Sequence, residues 1–253
     1  MDQAARPGQT PERLGFFTDA VFAIAMTLLV IEIPHPEGDD FDTADGRSKS
    51  QVAAHLWHFL VQESGAFYSY LLAFLVLWIV WRQHHTTLDR IVRLDGAMTL
   101  LHLPLLLLTG FLPYATAIVG HHPGNPAAAL LFGLVVLLLM ICRSSIQTLA
   151  GRPDVLSSPA LEPDRRLDSV ISWLVTGYWA LTLLLVWWAP WVQLLWFLSG
   201  ALARALTPLL RPRLAPTGPI PAPSAAQDVH HGEGGAPGPD LEPAQTGGWG
   251  TGQ

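Results

Sequence analysis

The feature that most restricts the fold of this chain is a series of long apolar blocks, each close to the length that crosses a lipid bilayer. Bilayer hydrocarbon is about 30 Å thick, so a spanning helix needs roughly 20 mostly apolar residues. Only 13% of the residues are charged, whereas a typical soluble domain has about 25%. The pattern predicts an all-α, polytopic membrane protein with six transmembrane helices: Phe16–Ile33, Ala66–Trp81, Met98–Val119, Ala127–Ile146, Val170–Trp188 and Trp191–Leu209.

Positive charges orient the six predicted spans, because cytoplasmic loops of membrane proteins carry an excess of Lys and Arg. Only Arg47 and Lys49 fall on one side of the six-span arrangement, next to the acidic stretch HPEGDDFDTADG. Both termini are therefore expected in the cytoplasm. The arginines on that predicted side are Arg6, Arg13, Arg82, Arg90, Arg93, Arg143, Arg152, Arg165, Arg166, Arg204, Arg211 and Arg213.

Composition divides the chain into three parts. Residues 1–15 form a short cytoplasmic segment, residues 16–211 form the six-helix transmembrane unit, and residues 212–253 form a tail rich in Pro and Gly. A tail of this composition cannot bury enough apolar surface to order itself, so we expect it to be disordered. The stretch QVAAHLWHFLVQES before the second span is interpreted as an amphipathic lead-in that continues into that helix.

The first predicted span has an aliphatic face and one acidic residue. Successive residues on a helix are about 100° apart, so Ile24, Leu28 and Ile31 share one face with Thr27 at its flank. Asp19 points to another side, near the helix start, where the helix dipole favours an anion. Such an aliphatic face is found on lipid-facing, core and pore helices, and the pattern alone leaves these three open.

Asp19 is expected to have a partner, because an ionisable group in a membrane helix is costly to leave alone. The candidates on the same side of the membrane are Arg13 and His84. The preferred interpretation is a polar tie between two helices. A role in proton handling is the alternative.

Two stretches of sequence resemble a known family. RLGFFTDAVFAIAMTLLVIEI is similar to the first-helix signature of the prokaryotic form of the transmembrane protein 175 family of potassium channels, with Thr18 where the family usually has serine. YSYLLAFLVLWIVWRQHH is similar to the second helix of that family, which ends in Trp, two residues and His-His. The resemblance covers roughly the first half of the chain.

This resemblance implies a homotetramer of six-helix units with a pore lined by the first helix of each subunit. It maps the hydrophobic constriction to Ile24, the neighbouring rings to Leu28 and Ile31, and the threonine associated with ion preference to Thr27. The expected activity is a modestly selective potassium leak in the plasma membrane, with potassium ions and the lipid bilayer as partners, and without a cofactor or nucleic acid. The polar cluster that packs the pore helix against its own subunit maps to Arg13, Phe17, Thr18, Asp19, Trp81 and His84.

Two other functions are weighed against the channel. An intramembrane metalloenzyme could use His84, His85 and Asp89, or the pair His55 and His58, but neither repeated histidine boxes nor an HExxH sequence is present. The single cysteine, Cys142, excludes an intramolecular disulfide and makes a zinc site with several thiolates implausible. No enzyme activity and no metal site are therefore expected.

A proton-coupled transporter that uses Asp19 and His84 as a relay remains the alternative to a channel. Secondary transporters usually have broken helices and paired repeats. The first span contains neither Gly nor Pro after Gly15, and no repeat is visible in the chain. The channel is therefore the preferred prediction.

Overall fold

In a computed structural model of the chain, the described residues are 10–38, 41, 46–152, 154–155, 162–188 and 191–214. The chain divides into two compact units, Met1–Pro216 and Thr217–Gln253. The second unit, and with it most of the predicted disordered tail, lies outside the described residues. Most of the predicted N-terminal segment and of the acidic stretch before the second span also lie outside them.

The described part of the chain is helical, which confirms the all-α prediction. Its regular structure consists of seven α-helices and two short 3₁₀ segments, the latter at Leu29–Glu32 and Val186–Trp188. The helices are α1 Pro11–Leu28, α2 Lys49–Gln62, α3 Ser64–Leu88, α4 Gly96–His121, α5 Pro126–Ala150, α6 Glu162–Leu183 and α7 Trp191–Leu214.

Within the described part of the chain, five helices are long and apolar enough to cross a membrane. They are α1 with its 3₁₀ extension, α3, α4, α5 and α7 as far as Pro212. The predicted span Val170–Trp188 is not among them. The reason is local: α6 begins with a charged segment that includes Arg165, Arg166 and Asp168, and it ends at Leu183 rather than continuing to Trp188.

The stretch before the second span is a separate helix, so the predicted continuity with that span is wrong. α2 begins with a capping box in which Ser48 and Gln51 satisfy each other's backbone amides. Glu63 then leaves helical geometry, with φ −85° and ψ 11°, and α3 starts at the next residue. None of the residues of α2 is buried.

The remaining helices pack as a bundle in which α1 contacts α3 and α4, α4 contacts α3 and α5, and α6 contacts α5 and α7. Glycines allow two of these contacts to be close. A methyl group added at Gly65 of α3 would lie 2.8 Å from the carbonyl oxygen of Gly120 in α4. One added at Gly133 of α5 would lie 2.4 Å from a methyl carbon of Leu183. Small residues at such crossings let membrane helices approach closely.

Two of the arginines assigned to loops are instead buried in helices. Arg143 of α5 donates to Gln83 of α3 and to Ser172 of α6. Arg165 of α6 donates to the backbone oxygen of Thr87, 3.1 Å away, near the end of α3. Both arginines therefore join helices, and the membrane orientation depends on the other positive charges.

The loops at this end of the bundle are joined by two reciprocal ion pairs. Arg93, after α3, lies 2.9 Å from Asp154, after α5. Asp95, after α3, lies 3.1 Å from Arg152, after α5. Since all four side chains are partly exposed, each pair contributes little, about 0–1 kcal/mol.

Candidate pore surface on the first helix

α1 begins and ends with recognisable local signals. Thr10 caps the helix by accepting a hydrogen bond from the backbone amide of Arg13 (3.4 Å), and Pro11 occupies the first turn, where its missing amide hydrogen costs nothing. After Leu28 the α-helix changes to the 3₁₀ segment Leu29–Glu32, and Ile33 is extended. The predicted first span is therefore helical as far as Glu32, but its outer turn is 3₁₀ rather than α.

The two sides of α1 differ sharply in exposure. Its buried side, formed by Thr18, Phe22, Ala25 and Leu29, faces the bundle. The predicted pore residues lie on the opposite, exposed side. In the single chain the exposed fractions of Ile24, Leu28 and Ile31 are 59%, 40% and 64%, and Thr27 is also exposed.

The 3₁₀ segment aligns the outer two of these residues. Side chains three positions apart eclipse one another in a 3₁₀ helix, so Ile31 stands nearly above Leu28. The rise is about 1.5 Å per residue in an α-helix and about 2.0 Å in a 3₁₀ helix. Ile24, Leu28 and Ile31 are therefore successive levels roughly 6 Å apart along the helix axis.

The hydroxyl group of Thr27 is committed to its own helix. Its Oγ1 donates to the carbonyl oxygen of Ile24 at 2.8 Å. The hydroxyl hydrogen is then occupied, while the oxygen lone pairs remain free on the exposed side. A group in this state can accept a hydrogen bond or contact a cation.

Asp19 is tied to α3, but not through the expected partners. Trp81 Nε1 donates to Asp19 Oδ1 at 2.8 Å, and His85 Nδ1 lies 3.2 Å from Asp19 Oδ2. The ring of His85 also packs at a tilt against that of Trp81, and His85 lies 3.7 Å from the carboxylate of Asp89. Asp19 thus pairs with Trp81 and His85, whereas Arg13 and His84 were expected.

His84 lies in the bundle interior, where only 2% of it is exposed. Its ring is stacked on Phe22 of α1, with the centroids 6.4 Å apart, and meets the ring of His102 of α4 edge-on at 5.0 Å. Neither nitrogen of His84 has a hydrogen-bond partner in the described part of the chain. His84 is therefore a packing residue on the buried side of α1.

The other predicted cluster residues are divided between the two sides of α1. Arg13 and Phe17 are exposed, the latter to 60%. Thr18 is fully buried, and its hydroxyl has no partner among the described residues. Among the six residues of the predicted polar cluster, the hydrogen bond described here is the one between Trp81 and Asp19.

Two residues of this region, His85 and His102, were not among the predicted site residues. His85 belongs to the His-His pair at the end of the second predicted span, but its contact with Asp19 was not predicted. His102 is an ionisable residue inside an apolar helix, which is itself a signal of function in a membrane protein. Within the described ranges, no group of three or more His, Cys, Asp or Glu side chains could hold a metal ion.

Comparison with known proteins identifies this region. Residues 13–113 match the family model described as endosomal/lysosomal potassium channel TMEM175. Over these residues the chain is similar to the TMEM175 family. The match runs from the first turn of α1 into α4 and contains every predicted pore and cluster residue. The resemblance inferred from the sequence is confirmed, and the family that matches is described as a channel rather than as an enzyme.

Relatives of the TMEM175 family occur in bacteria and animals. A potassium channel of Streptomyces collinus is 32% identical over 129 residues, which are 51% of this chain and 57% of that protein. The endosomal/lysosomal proton channel TMEM175 of Homo sapiens is 24% identical over 162 residues, which are 64% of this chain and 30% of that protein. The chain thus spans little more than half the length of the bacterial relative.

The fold is also that of a solved TMEM175 protein. The crystal structure of a lysosomal potassium-selective channel TMEM175 homolog from Chamaesiphon minutus matches 81% of this chain and 98% of the solved chain, with a TM-score of 0.58. The identity is 22%. The likeness therefore extends beyond the family match to most of the helical bundle, as a likeness of fold.

Proposed function

We propose that this chain is a subunit of a homotetrameric, modestly potassium-selective cation channel whose pore is lined by α1. The observation that carries the proposal is the exposed apolar side of α1, with Ile24, Leu28 and Ile31 at three levels. An exposed apolar side can be covered by lipid, but it is also what four identical helices need around a symmetry axis. The names of the bacterial relatives, which are potassium channels, support the second alternative.

A ring of aliphatic side chains, one from each subunit, acts on a cation by forcing it to lose part of its hydration shell. Such side chains have no groups that replace water around an ion, and a narrow ring can close by dewetting. An ion that loses water more readily crosses such a ring at a lower cost, which favours potassium over sodium. The free lone pairs of Thr27, beside the Ile24 level, offer a cation partial compensation there. The expected selectivity is modest, because no ring of backbone carbonyls is invoked.

The proposal includes six spans, with α6 as the fifth. Arg165, near the start of α6, bonds to Thr87 at the end of α3. Gln193, which follows the turn after α6, donates at 3.1 Å to the carbonyl of Pro123, a residue that lies close to Gly65 at the start of α3. The segment from Arg165 to Gln193 therefore extends from the level of one end of α3 to the level of the other, which supports a membrane crossing.

The turn between α6 and α7 has the composition of a membrane interface. Trp187, Trp188 and Trp191 are all exposed there, and tryptophan is enriched where membrane meets water. At the opposite end of the bundle lie the ion-paired arginines Arg93 and Arg152. By the positive-inside rule that end is cytoplasmic, and six crossings then leave both termini in the cytoplasm. We assign the protein to the plasma membrane, as predicted from the sequence.

A proton-coupled transporter with Asp19 and His84 as its relay has less support. Asp19 is bonded to Trp81 and His85, while His84 is surrounded by Phe22 and His102. A relay would need the Asp19 and His84 groups to exchange a proton directly or through water, and the described contacts do not join them. Flux that saturates and requires a proton gradient would favour the transporter over the channel.

Ion flux into liposomes reconstituted with the purified protein tests the channel. Ile24→Asn and Leu28→Asn each place a polar side chain at an aliphatic level, so we expect sodium permeation to rise and the potassium-to-sodium permeability ratio to fall. Leu107→Asn is the matched control, because Leu107 is 71% exposed but lies on α4. An unchanged ratio in both α1 variants would refute the pore assignment, and a monomeric protein would refute the tetramer.

A further inference from the structure

A row of three aromatic rings lies behind α1, on the buried side of that helix. His102 of α4 meets His84 of α3 at 5.0 Å, and His84 is stacked on Phe22 of α1 at 6.4 Å. All three side chains are buried, with at most 2% exposed. The row therefore runs from α4 through α3 to the back of the first helix.

The last ring of this row is directly opposite the proposed constriction. Phe22 and Ile24 are two positions apart, which is about 200° around an α-helix. Phe22 is completely buried, whereas Ile24 is largely exposed. Because the helix is rigid on this scale, the depth at which Phe22 is held determines how far Ile24 projects on the other side.

The first ring of the row is fixed to its own helix by a hydrogen bond. Nδ1 of His102 donates to the carbonyl oxygen of Met98 one turn earlier, at 2.6 Å. Phenylalanine or leucine at this position would lack the bond, and the side chain would be free to turn. Imidazole thus gives α4 a flat side chain of defined direction.

Hydrogen bonding between the rings does not explain why they are histidines. Nε2 of His102 and both ring nitrogens of His84 have no partner in the described part of the chain. Buried polar atoms without partners are unfavourable, and apolar side chains of similar size would avoid that cost. Two imidazoles in a row at this place are therefore better explained by the contact they transmit than by the stability they add.

We propose that His102 is a positioning residue of the pore: it supports His84 against Phe22 and so sets the distance of Ile24 from the channel axis. This inference rests on the proposed function, because it assigns a role in ion selectivity to a residue that does not reach the pore. It also predicts an effect on α1 itself that is independent of ion flux.

The test compares His102→Ala with His121→Ala in the full-length assembly. His121 is the matched control: it is on the same helix and bonds through Nδ1 to the carbonyl of Ala117 at 2.8 Å, but it is exposed. In His102→Ala we expect the potassium-to-sodium permeability ratio to fall by about twofold to thirtyfold, the range typical of coupling through packed side chains. In His121→Ala the ratio stays at the wild-type value.

Amide hydrogen exchange, measured by mass spectrometry on peptides that cover residues 20–28, is the second readout. Without its support α1 should exchange faster in His102→Ala than in His121→Ala. Equal exchange and equal permeability ratios in the two variants would overturn the proposal. Faster exchange in a protein that conducts no cations would support the positioning of α1 and refute the channel.

A second variant covers the case in which His102→Ala fails to assemble. Phe22→Leu shortens the row from the other end and leaves both histidines in place. Its permeability ratio and its exchange in α1 should change in the same directions. Wild-type values of both quantities in an assembled Phe22→Leu protein would overturn the proposal equally.

Discussion

The tie between Asp19 and Trp81 allows a quantitative prediction for Trp81→Phe. This substitution keeps an aromatic ring next to His85 but removes the donor that lies 2.8 Å from the Asp19 carboxylate. A hydrogen bond to a charged group contributes about 1.5–3 kcal/mol. The Asp19 side chain is 30% exposed, so water partly replaces the lost donor, and we expect a cost of about 1–2 kcal/mol per subunit.

In the proposed tetramer this loss occurs four times, so about 4–8 kcal/mol of the stability of the assembly depends on it. We expect the melting midpoint of the assembly to fall by about 2–8 °C, measured by size-exclusion chromatography of heated, detergent-solubilised protein. Trp78→Phe is the control, because Trp78 is an exposed neighbour that packs on the ring of Trp81. Its midpoint should stay close to the wild-type value.

A double-mutant cycle with Asp19→Asn separates the tie from a general loss of packing. If Trp81 and Asp19 act on each other, the double variant should lose less than the sum of the two single losses, by about 1 kcal/mol. Strictly additive losses would refute the reasoning. So would a Trp78→Phe protein that melts as early as Trp81→Phe.

Two further predictions concern stability outside α1. Gly133→Ala places a methyl group 2.4 Å from Leu183 and 2.9 Å from the ring of Trp196. The resulting overpacking should cost about 1–3 kcal/mol and lower the melting midpoint. A midpoint at or above the wild-type value would show that α6 and α7 can move away from α5. Arg152→Gln removes the partly exposed ion pair with Asp95 and should lower the stability by less than about 1 kcal/mol. This loss should disappear in 1 M salt. A loss that persists in 1 M salt would mean that Arg152 is held by more than this ion pair.

The exposed side of α1 followed from the sequence because helical periodicity fixes the angles between residues. Ile24 and Leu28 had to share a face in any α-helix, and both are exposed on the same side. The 3₁₀ turn that brings Ile31 above Leu28 had no comparable signal. Neither Gly nor Pro marks the change at Leu29, and the spacing of the apolar residues fits both geometries.

The sequence limited the number of candidate partners for Asp19 but did not identify which of them forms the contact. On α3, His84 and His85 both lie one turn after Trp81, on opposite flanks of it. Which flank meets α1 depends on the direction from which the two helices approach each other. That direction is set by the packing of the whole bundle, in which α1 contacts α4 as well as α3, and a single sequence does not specify it.

The positions of the buried charged residues could not be predicted from the sequence either. Arg143 and Arg165 were counted with the loops because arginine in a membrane protein is usually found there. Their roles depend on hydroxyl and amide partners, such as Ser172, Gln83 and Thr87, that are far away in the chain. His102 was overlooked for the same reason, since its contact with His84 exists only after α3 and α4 have packed.

The change of helix type after Leu28 also gives the outer part of α1 a means of adjustment without a hinge. Each residue that converts between the two helix types alters the length of the segment by about 0.5 Å and turns everything beyond it by about 20°. If the boundary between the α-helix and the 3₁₀ segment moved by one or two residues, Ile31 would rotate about the helix axis and shift along it. Ile24 would keep its position. In the proposed tetramer such a movement changes the position of Ile31 in every subunit and leaves the Ile24 level in place.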